Sequence, residues 1–424
     1  MLKKTDRYDQ LINLGEEEAR FNFLGPIPTQ NPIFDCNAFG FRGIEEFEDI
    51  KTHRGAIYGR VPGHPNHVAL EKKYGFVAEA DGIIIRADGM SIISQVLWSL
   101  LKPGDRIVAS LPLYSGTYEF IADHLTDFGV HTSFFRASDT VQKPIEDILQ
   151  ELVEYHSAPT KVLYIESCAN PTLDLIDVQR AANFCKDRNI ILIDDITFMS
   201  VFMQNSLNLG ADIIIEAITK HMSGGRMMGG VATWQRESLN KKLWYWRFDI
   251  DEVVKKMVCL GGTMNYTVAH AFSQNIKTLF ILIKQKCRNA LRIARWLRKQ
   301  DGLIVKYPGL PSHPQYELAC RQMVDEDGHK NFGCMIYFDL GGDEQRAREF
   351  AKAVASTQKI MLAVSLAAPE TIITHVWTMI FGGLNEQEKI KLGISPTAFR
   401  LSVGLQPMEE TCAALQTGFS AIKL

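Results

Sequence analysis

Lys220 has the most distinctive position of any candidate nucleophile in this sequence, because it closely follows the apolar run at 213–218. Such a run is typical of a buried strand, and a lysine is uncommon at the end of one. Desolvation there disfavours the ammonium form and lowers the pKa of the amine, which favours nucleophilic attack. Lys220 is therefore a candidate for a Schiff base. The glycines at 224–230 lack the order G-x-x-x-x-G-K-[ST] of a phosphate-binding loop.

A candidate anion site lies earlier in the chain, where a turn at 87–89 opens an amphipathic stretch that continues to 101. Gly89 and Met90 occupy its first positions. The N–H groups and the positive dipole end of a helix attract anions, and a glycine permits close approach. The pattern would suit a bound phosphate or carboxylate, but most helix starts bind nothing. An ordinary helix N-terminus would have the same pattern.

Polar residues also follow two other apolar runs, at 161–166 and 190–195: Asn170 comes after the first, and Asp194 and Asp195 end the second. A buried aspartate has to be paired or hydrogen-bonded, so these groups indicate a polar crevice at one sheet edge. A metal site is the rival interpretation. Since no histidine or further carboxylate lies nearby at ligand spacing, we expect no metal.

Two further side chains could hold a small molecule. Tyr114, in LPLYSGTY, ends a strand and could stack on a flat ligand, although tyrosines more often pack in a core or at its rim. Arg400, in FRLSVGL, could hold a carboxylate with two parallel hydrogen bonds, although a surface salt bridge is the more ordinary role. His64 and His67 flank a proline, which favours a turn over a metal site.

The elements that position these residues alternate regularly between about 76 and 234. Short β-rich runs alternate with helix-like stretches, which predicts an α/β fold with a mostly parallel sheet covered by helices on both faces. Ligands bind at the carboxyl ends of the strands in such sheets. The predicted strands are at 83–87, 106–111, 161–166, 190–195, 213–218 and 229–234.

Three regions are predicted along the chain. Residues 1–60 are polar and rich in turns, as expected of an arm that lies on a neighbouring subunit, and residues 61–280 form the α/β domain. The basic, periodic stretch at 277–300 predicts a long helix linking two domains. Residues 281–424 then form a smaller α+β domain with an antiparallel sheet that includes 303–307, 334–340 and 399–405.

Composition excludes several other classes of protein. The chain has 424 residues, 46% hydrophobic and 22% charged, so it can form a sizeable core. A net charge of -3 provides no field to attract nucleic acid. The eight cysteines are scattered without C-x-x-C pairs, and no run is long and apolar enough to span a bilayer. We expect a cytoplasmic protein without membrane or nucleic-acid partners.

The order of these parts resembles that of pyridoxal-phosphate (PLP) enzymes, and specifically the Cys/Met-metabolism family of cystathionine γ-synthases, cystathionine lyases and methionine γ-lyases. This resemblance implies fold type I, with a seven-stranded sheet in the PLP domain and a smaller C-terminal domain. The matching segments are YGRVPGHPNHVALE, GMSIISQVLWSLLKPGDRIVASLPLYSGTY, ESCANPTLDLIDV, IDDITF, ITKHMSGG, AVSLAAPETIITH and FRLSVGL.

The resemblance also implies roles for individual residues. Lys220 would hold PLP covalently and then move protons, with Tyr114 stacked on the ring and acting as an acid for the leaving group. Asp195 would pair with the ring nitrogen and keep the ring cationic. The phosphate would be bound by Gly89, Met90, Thr219, and by Tyr58 and Arg60 of a neighbouring subunit. The substrate α-carboxylate would be bound by Arg400, Ser365 and Asn170.

The sequence departs from the family pattern at several positions. Ala217 replaces the serine of the family's S-x-T-K, and the Asn-Pro-Thr after Arg60 is replaced by a longer turn at 64–66. Gly116 stands where methionine γ-lyases usually carry cysteine, and Val364 where many cystathionine-handling members carry glutamate. These two residues would face the distal part of the substrate.

The resemblance implies a lyase or transferase that acts at Cγ of cystathionine, methionine or an activated homoserine, by γ-elimination or γ-replacement. β-Elimination of cystathionine is the nearest alternative, and a noncatalytic PLP binder is another. An aminotransferase shares the fold and the lysine, but the segments match it less well. A nucleotide-binding protein without PLP would leave Lys220 unexplained. We expect a homo-oligomer with a dimeric catalytic unit, assembled as a tetramer.

Overall fold

We analysed a computed structural model of the chain, which describes residues 31–53, 55–154, 156–325 and 327–424 together with Leu11, Leu14 and Gly15. Residues 1–10, 12–13, 16–30 and 54 of the predicted arm at 1–60 therefore lie outside the described residues. The helices are α1 (Ile44–Thr52), α2 (Pro65–Ala78), α3 (Gly89–Leu100), α4 (Ser115–Glu119), α5 (Leu125–Asp127), α6 (Ile145–Glu154), α7 (Val178–Lys186), α8 (Arg236–Tyr245), α9 (Ile250–Cys259), α10 (Tyr266–Leu297), α11 (Tyr316–Gln322), α12 (Glu344–Ser356), α13 (Glu386–Lys391) and α14 (Met408–Ala421).

Two sheets are present, a larger one with strand order β1-β7-β6-β5-β4-β2-β3 and a smaller one with order β10-β11-β12-β9-β8. The strands are β1 (Gly82–Arg86), β2 (Arg106–Leu111), β3 (His131–Arg136), β4 (Thr160–Ile165), β5 (Ile191–Asp195), β6 (Ile213–Glu216), β7 (Gly230–Trp234), β8 (Ile304–Lys306), β9 (Met335–Asp339), β10 (Met361–Leu362), β11 (Ile372–His375) and β12 (Ala398–Ser402).

One compact unit consists of residues 1–100 and 212–280. Here β7 pairs antiparallel with both β1 and β6, with Arg86 opposite Gly230 and Glu216 opposite Val231. Helix α2 begins at Pro65, and His64 caps it by accepting a hydrogen bond from the Asn66 N–H. The predicted turn at 64–67 is therefore a helix start. Pro suits the first turn of a helix because it has no N–H to leave unpaired.

The other compact unit consists of residues 101–211 and 281–424. Strand β2 pairs parallel with β3 and β4, and β4 pairs parallel with β5. Apolar residues of these strands and of α6 and α7 form a buried cluster that includes Val108, Leu163 and Leu192. In the smaller sheet, neighbouring strands run antiparallel except β10 and β11. Its core is aromatic, with Phe338 stacked on Phe399 at 5.7 Å between ring centroids.

The predicted fold class is confirmed: the chain is α/β with a mostly parallel sheet and a second, smaller sheet. All six strands predicted for the α/β domain are present, as is a long helix at Tyr266–Leu297. Sequence reasoning missed β3, an edge strand in which half-exposed polar residues obscure the pattern, and the short pair β10 and β11. The division at 60 and 280 stays a prediction. No helix in the described part of the chain is long and apolar enough to cross a membrane.

Candidate active site

Lys220 lies in a tight turn that follows β6 in the first unit, and its side chain is half-buried. Its N–H donates to the Ala217 carbonyl at 3.0 Å, and its own carbonyl accepts from the Gly224 N–H at 2.8 Å. The turn thus wraps around the lysine with its backbone groups paired. The structure thus places Lys220 in an ordered turn after a strand, and its covalent role stays a prediction.

Thr219 fastens the glycine-rich segment after this turn. Its Oγ1 accepts a hydrogen bond from the Gly229 N–H at 2.9 Å and donates to the Gly229 carbonyl at 3.2 Å. Gly229 directly precedes β7, so the threonine ties the lysine turn to the next strand of the same unit. The hydroxyl that was predicted to meet a phosphate therefore already has backbone partners in this structure.

The start of α3 abuts the lysine turn within the same unit. A Cβ added to Gly89 would lie 2.7 Å from the Cβ of Ala217, which is closer than side-chain carbons approach. The carboxylate of Asp88 caps the helix by accepting from the Ser91 N–H at 2.8 Å. The structure thus brings the predicted anion site at Gly89 and Met90 next to the segment that carries Thr219 and Lys220.

Tyr58 and Arg60 also belong to the first unit, and both side chains are exposed. The backbone around them pairs with the chain at 37–38: Tyr58 forms a β-bridge with Ala38, and the Gly59 N–H donates to the Asn37 carbonyl at 2.7 Å. Within the described residues, Arg60 has no ion-pair partner. The two side chains are therefore presented outward on an ordered backbone.

Asp194 and Asp195 point in opposite directions because successive side chains of a strand face opposite sides of a sheet. Asp194 accepts hydrogen bonds from the Ser167 N–H at 3.1 Å and the Ser206 hydroxyl at 2.6 Å. Burial raises its pKa to about 7, and these hydrogen bonds oppose the shift. Its oxygens are thus occupied by a local network.

Asp195 has a different environment. Its carboxylate accepts from the Tyr164 hydroxyl at 2.8 Å and from the Thr197 N–H at 3.0 Å, and burial raises its pKa. Among the described residues it forms no ion pair. A buried carboxylate in this state would be stabilised by a cation, which would lower its pKa again.

Sequence reasoning gave no role to Tyr164 and noted Glu166 only as the start of a segment. Glu166 accepts a hydrogen bond from the Tyr114 N–H at 2.8 Å, and burial together with the charge of Asp195 raises its pKa well above the usual range. Both residues lie at the carboxyl end of β4, which pairs with β5. The sequence did hold a signal for these two residues. Neighbouring parallel strands end at the same edge of a sheet, so residues at the end of β4 lie near Asp195 at the end of β5.

Tyr114 precedes α4, and its side chain is 50% exposed, so the ring is available to a ligand. The phenol has no further partner among the described residues, whereas the backbone N–H is held by Glu166. Gly116 lies in the first turn of α4, two residues later. Both residues belong to the second unit, together with Asp195.

Arg400 is buried on β12, and it joins the residues that were predicted to act with it. One terminal nitrogen donates to the Asn170 side-chain oxygen at 2.8 Å, and the other donates to the Ser365 carbonyl at 2.5 Å. Its Nε is buried without a hydrogen-bond partner in the described part of the chain, and burial lowers the pKa of the guanidinium to about 10. A guanidinium in this state is suited to an anionic ligand. Val364, beside Ser365, is 60% exposed.

One group of side chains in the described residues has ligand atoms close enough to hold a metal ion: Asp325, Asp327 and His329. Sequence reasoning did not identify it. The Lys284 ammonium lies 3.2 Å from Asp325 and 3.5 Å from Asp327, so a cation is already provided by the chain. The group is far in sequence from the residues above, and it gives no reason to assign a metal.

Comparisons with known proteins agree with these features. L-methionine gamma-lyase of Fusobacterium nucleatum subsp. polymorphum is 31% identical over 92% of this chain and 93% of its own length. Cystathionine beta-lyase of Coxiella burnetii is 31% identical over 85% of this chain and 86% of its own. The crystal structure of cystathionine gamma synthase from Xanthomonas oryzae pv. oryzae in complex with cystathionine has a TM-score of 0.84 at 25% identity, covering 98% of each chain.

These relatives confirm the predicted class of activity, a PLP-dependent lyase or transferase for γ-elimination or γ-replacement on sulfur- or oxygen-substituted amino acids. They also confirm fold type I and pyridoxal 5′-phosphate as the cofactor. Residues 13–420 match the family described as Cys/Met metabolism PLP-dependent enzyme. The chain therefore belongs to the Cys/Met metabolism family of PLP-dependent enzymes.

Proposed function

We propose that this enzyme removes or replaces the γ-substituent of an amino acid such as methionine, cystathionine or an activated homoserine. The observation that carries the proposal is the buried Arg400, which Asn170 and Ser365 hold in the manner of a carboxylate receptor and whose Nε has no hydrogen-bond partner among the described residues. All of these substrates share an α-carboxylate. The substituent at Cγ is what distinguishes them.

The residues present fit the cofactor. Asp195 is a buried carboxylate without a cation among the described residues, which suits a protonated pyridine nitrogen. Gly89 and Met90 begin a helix at which a phosphate would meet backbone N–H groups, near Thr219. Lys220 would hold the cofactor and Tyr114 would cover its ring. When bound, PLP supplies a cationic ring that withdraws electrons from the substrate Cα.

The chain's own residues would move the protons. Lys220 Nζ would take the proton from Cα, release it to the cofactor and then, for chemistry at Cγ, take a second proton from Cβ. The Tyr114 hydroxyl would donate a proton to the leaving sulfur or oxygen. Arg400, with Asn170 and Ser365, would keep the α-carboxylate fixed while these transfers occur. The exposed Val364 and the half-buried Gly116 would contact the distal side chain and so influence which substrate is preferred.

A second candidate reaction is β-elimination of cystathionine, which requires only the proton at Cα. It is favoured by the similarity to the Coxiella burnetii cystathionine beta-lyase, which is as close in identity as the methionine lyase. The site residues are the same for both reactions. The position of the bond that breaks is therefore decided by how the distal side chain is held.

We further propose a cytoplasmic homo-oligomer in which a dimer is the catalytic unit and a tetramer the assembled form. The exposed Tyr58 and Arg60 would reach the cofactor phosphate of the neighbouring chain. Their outward presentation on a paired backbone supports this assignment, since an isologous contact delivers the same residues to both sites. The arm at 1–60 would contribute to that contact.

The proposed reaction is tested by incubating the PLP-loaded enzyme separately with methionine, cystathionine, O-succinylhomoserine and O-acetylhomoserine. We expect 2-oxobutanoate and ammonia for γ-elimination, a new thioether for γ-replacement when a thiol is added, and pyruvate for β-elimination. Lys220→Ala should abolish all of them with the fold intact, whereas the exposed Lys241→Ala should not. Full activity of Lys220→Ala, or no product from any substrate, would contradict the proposal.

A further inference from the structure

Lys286 on α10 carries a buried amine that the proposed reaction does not use. Lys286 is only 2% exposed, which places it among the most fully buried of the described residues. Nζ donates a hydrogen bond to the carbonyl of Ala367 at 2.6 Å. Among the described residues it forms no ion pair. An ammonium in this position has a single carbonyl where a carboxylate would be expected.

Burying the Lys286 ammonium costs free energy of desolvation, and the groups around it offset only part of that cost. Burial lowers the pKa of Lys286, and nearby Cys334, Cys287 and Glu370 oppose the shift. A methionine of similar length would fill the same space without desolvating a charge. We therefore attribute the lysine at this position to its hydrogen bond with the Ala367 carbonyl and not to packing in the core.

The acceptor lies in a strained segment, residues 363–368, which we name the carboxylate loop. Ser365 has a φ of 85° and Ala367 a φ of 63°, the left-handed region that residues with a Cβ rarely adopt. This conformation costs free energy for a residue with a Cβ, so the surrounding structure has to hold the backbone there. Glycine would adopt the same conformation without this cost.

Side chains from three elements hold the loop. The Thr374 hydroxyl on β11 donates to the Ala363 carbonyl at 2.7 Å, and the Ser402 hydroxyl on β12 accepts from the Ala367 N–H at 2.7 Å. Lys286 binds the carbonyl of that same residue from the helix. Both backbone groups of Ala367 are thus fixed by buried side chains, one from the sheet and one from α10.

The loop in turn orients the arginine. The Ser365 carbonyl accepts from Arg400 at 2.5 Å, and this bond sets one of the two terminal nitrogens of the guanidinium. The same nitrogen also donates to the Thr374 hydroxyl at 3.3 Å, so a shift of the Ser365 carbonyl would leave it with only the longer of these two hydrogen bonds. All of these contacts lie within the second unit, so they form one continuous set of packed groups from α10 to the guanidinium.

We propose that Lys286 is a positioning residue: by holding the Ala367 carbonyl, it maintains the left-handed turn that orients Arg400 for the substrate carboxylate. The inference rests on the proposed function, because it takes Arg400 as the carboxylate receptor. Lys286 does not touch the substrate or the cofactor. Its effect is on substrate affinity and not on the chemical step.

The test compares the PLP-loaded Lys286→Met enzyme with a matched control, Lys389→Met. Lys389 is a lysine of the same unit that is 7% exposed and lies 4.7 Å from the ring centre of Trp377. For Lys286→Met we expect KM to rise about tenfold for every amino-acid substrate, as for the loss of one charge-assisted hydrogen bond, with kcat and the cofactor dissociation constant nearly unchanged. Lys389→Met should leave KM unchanged.

A second measurement does not depend on catalysis. Hydrogen–deuterium exchange of the Ala367 amide should be about tenfold faster in Lys286→Met than in the wild type, and unchanged in Lys389→Met. Adding Ala367→Gly to Lys286→Met should lower KM again, because glycine adopts the left-handed conformation without help. A purely structural lysine would show no such rescue.

The outcomes separate the two proposals. Folded Lys286→Met with wild-type KM and wild-type exchange at Ala367 would overturn the role of Lys286. Equal effects of Lys389→Met would overturn it as well, since they would reflect general destabilisation. If the wild-type enzyme turns over none of the substrates, the proposed function fails, and the exchange measurement still decides whether Lys286 holds the loop.

Discussion

At the scale of single residues, adjacent carboxylates of this protein have different surroundings. Asp194 accepts hydrogen bonds from Ser167 and Ser206, whereas Asp195 accepts them from Tyr164 and Thr197. The difference follows from the alternation of side chains along β5. It assigns a structural role to the first carboxylate and leaves the second available to a cationic ligand.

We therefore predict that Asp195→Asn weakens PLP binding by at least about tenfold, because a neutral amide no longer favours the protonated ring nitrogen. The rate should fall as well, since the ring loses its electron-withdrawing charge. Spectrophotometric titration of the cofactor-free protein with PLP measures the first effect, and single-turnover kinetics measure the second.

Asp194→Asn is the matched control. It should lower the free energy of unfolding by about 1–3 kcal/mol through its buried hydrogen bonds, with PLP affinity close to that of the wild type. If Asp194→Asn instead loses the cofactor while Asp195→Asn retains it, the ring nitrogen is paired with Asp194.

At the scale of elements, the start of α3 and the turn after β6 make a close contact within the first unit. Gly89 approaches Ala217 so closely that no Cβ fits between them, and Gly230 at the start of β7 lies against the Asp88 carbonyl in the same way. These two glycines let a helix start and two strand ends meet. The N–H groups of α3 are thereby brought close to the segment with Thr219 and Lys220.

We predict that Gly89→Ala lowers PLP affinity about tenfold, because the added methyl would lie 2.7 Å from Ala217 and displace the helix start from the lysine turn. Titration with PLP and thermal unfolding of the cofactor-free protein are the measurements. Gly383→Ala, with no atom within 4 Å of the added methyl, should change neither. Wild-type affinity of Gly89→Ala would mean that the phosphate is bound elsewhere.

At the scale of the whole molecule, the described chain leaves Tyr58 and Arg60 exposed on a backbone that pairs with the segment at 37–38. Two exposed side chains in the first unit, one cationic and one aromatic, have no function that the single chain explains. The proposed shared site accounts for both.

Mixing inactive Lys220→Ala chains with inactive Arg60→Ala chains should then restore activity. Random reassociation makes half of the dimers mixed, and each mixed dimer has one site with both residues intact, so we expect about one quarter of wild-type activity. Subunit exchange is followed with a mass tag, and each variant mixed with itself is the control. Persistent inactivity despite complete exchange would show that each site is built by one chain.

Local pattern alone was sufficient for six strands of the α/β region, the start of α3 and the position of Lys220 after a strand, because periodicity and strand ends are properties of short segments. It failed for β3, where an edge strand has no buried alternation to detect. The resemblance of ordered motifs gave the family and the cofactor, which the comparisons confirm.

Only the tertiary structure determines which distant residues form hydrogen bonds with one another. Arg400 meets Asn170 across 230 residues of sequence, and Lys286 meets Ala367 across 81. The resemblance implied a role for Asp195 and none for Asp194, and packing on the two faces of the sheet gives the two carboxylates their different hydrogen-bond partners. A hydrogen bond between distant residues depends on the distances and burial that the complete fold creates, and neither quantity is encoded in the spacing of residues along the chain.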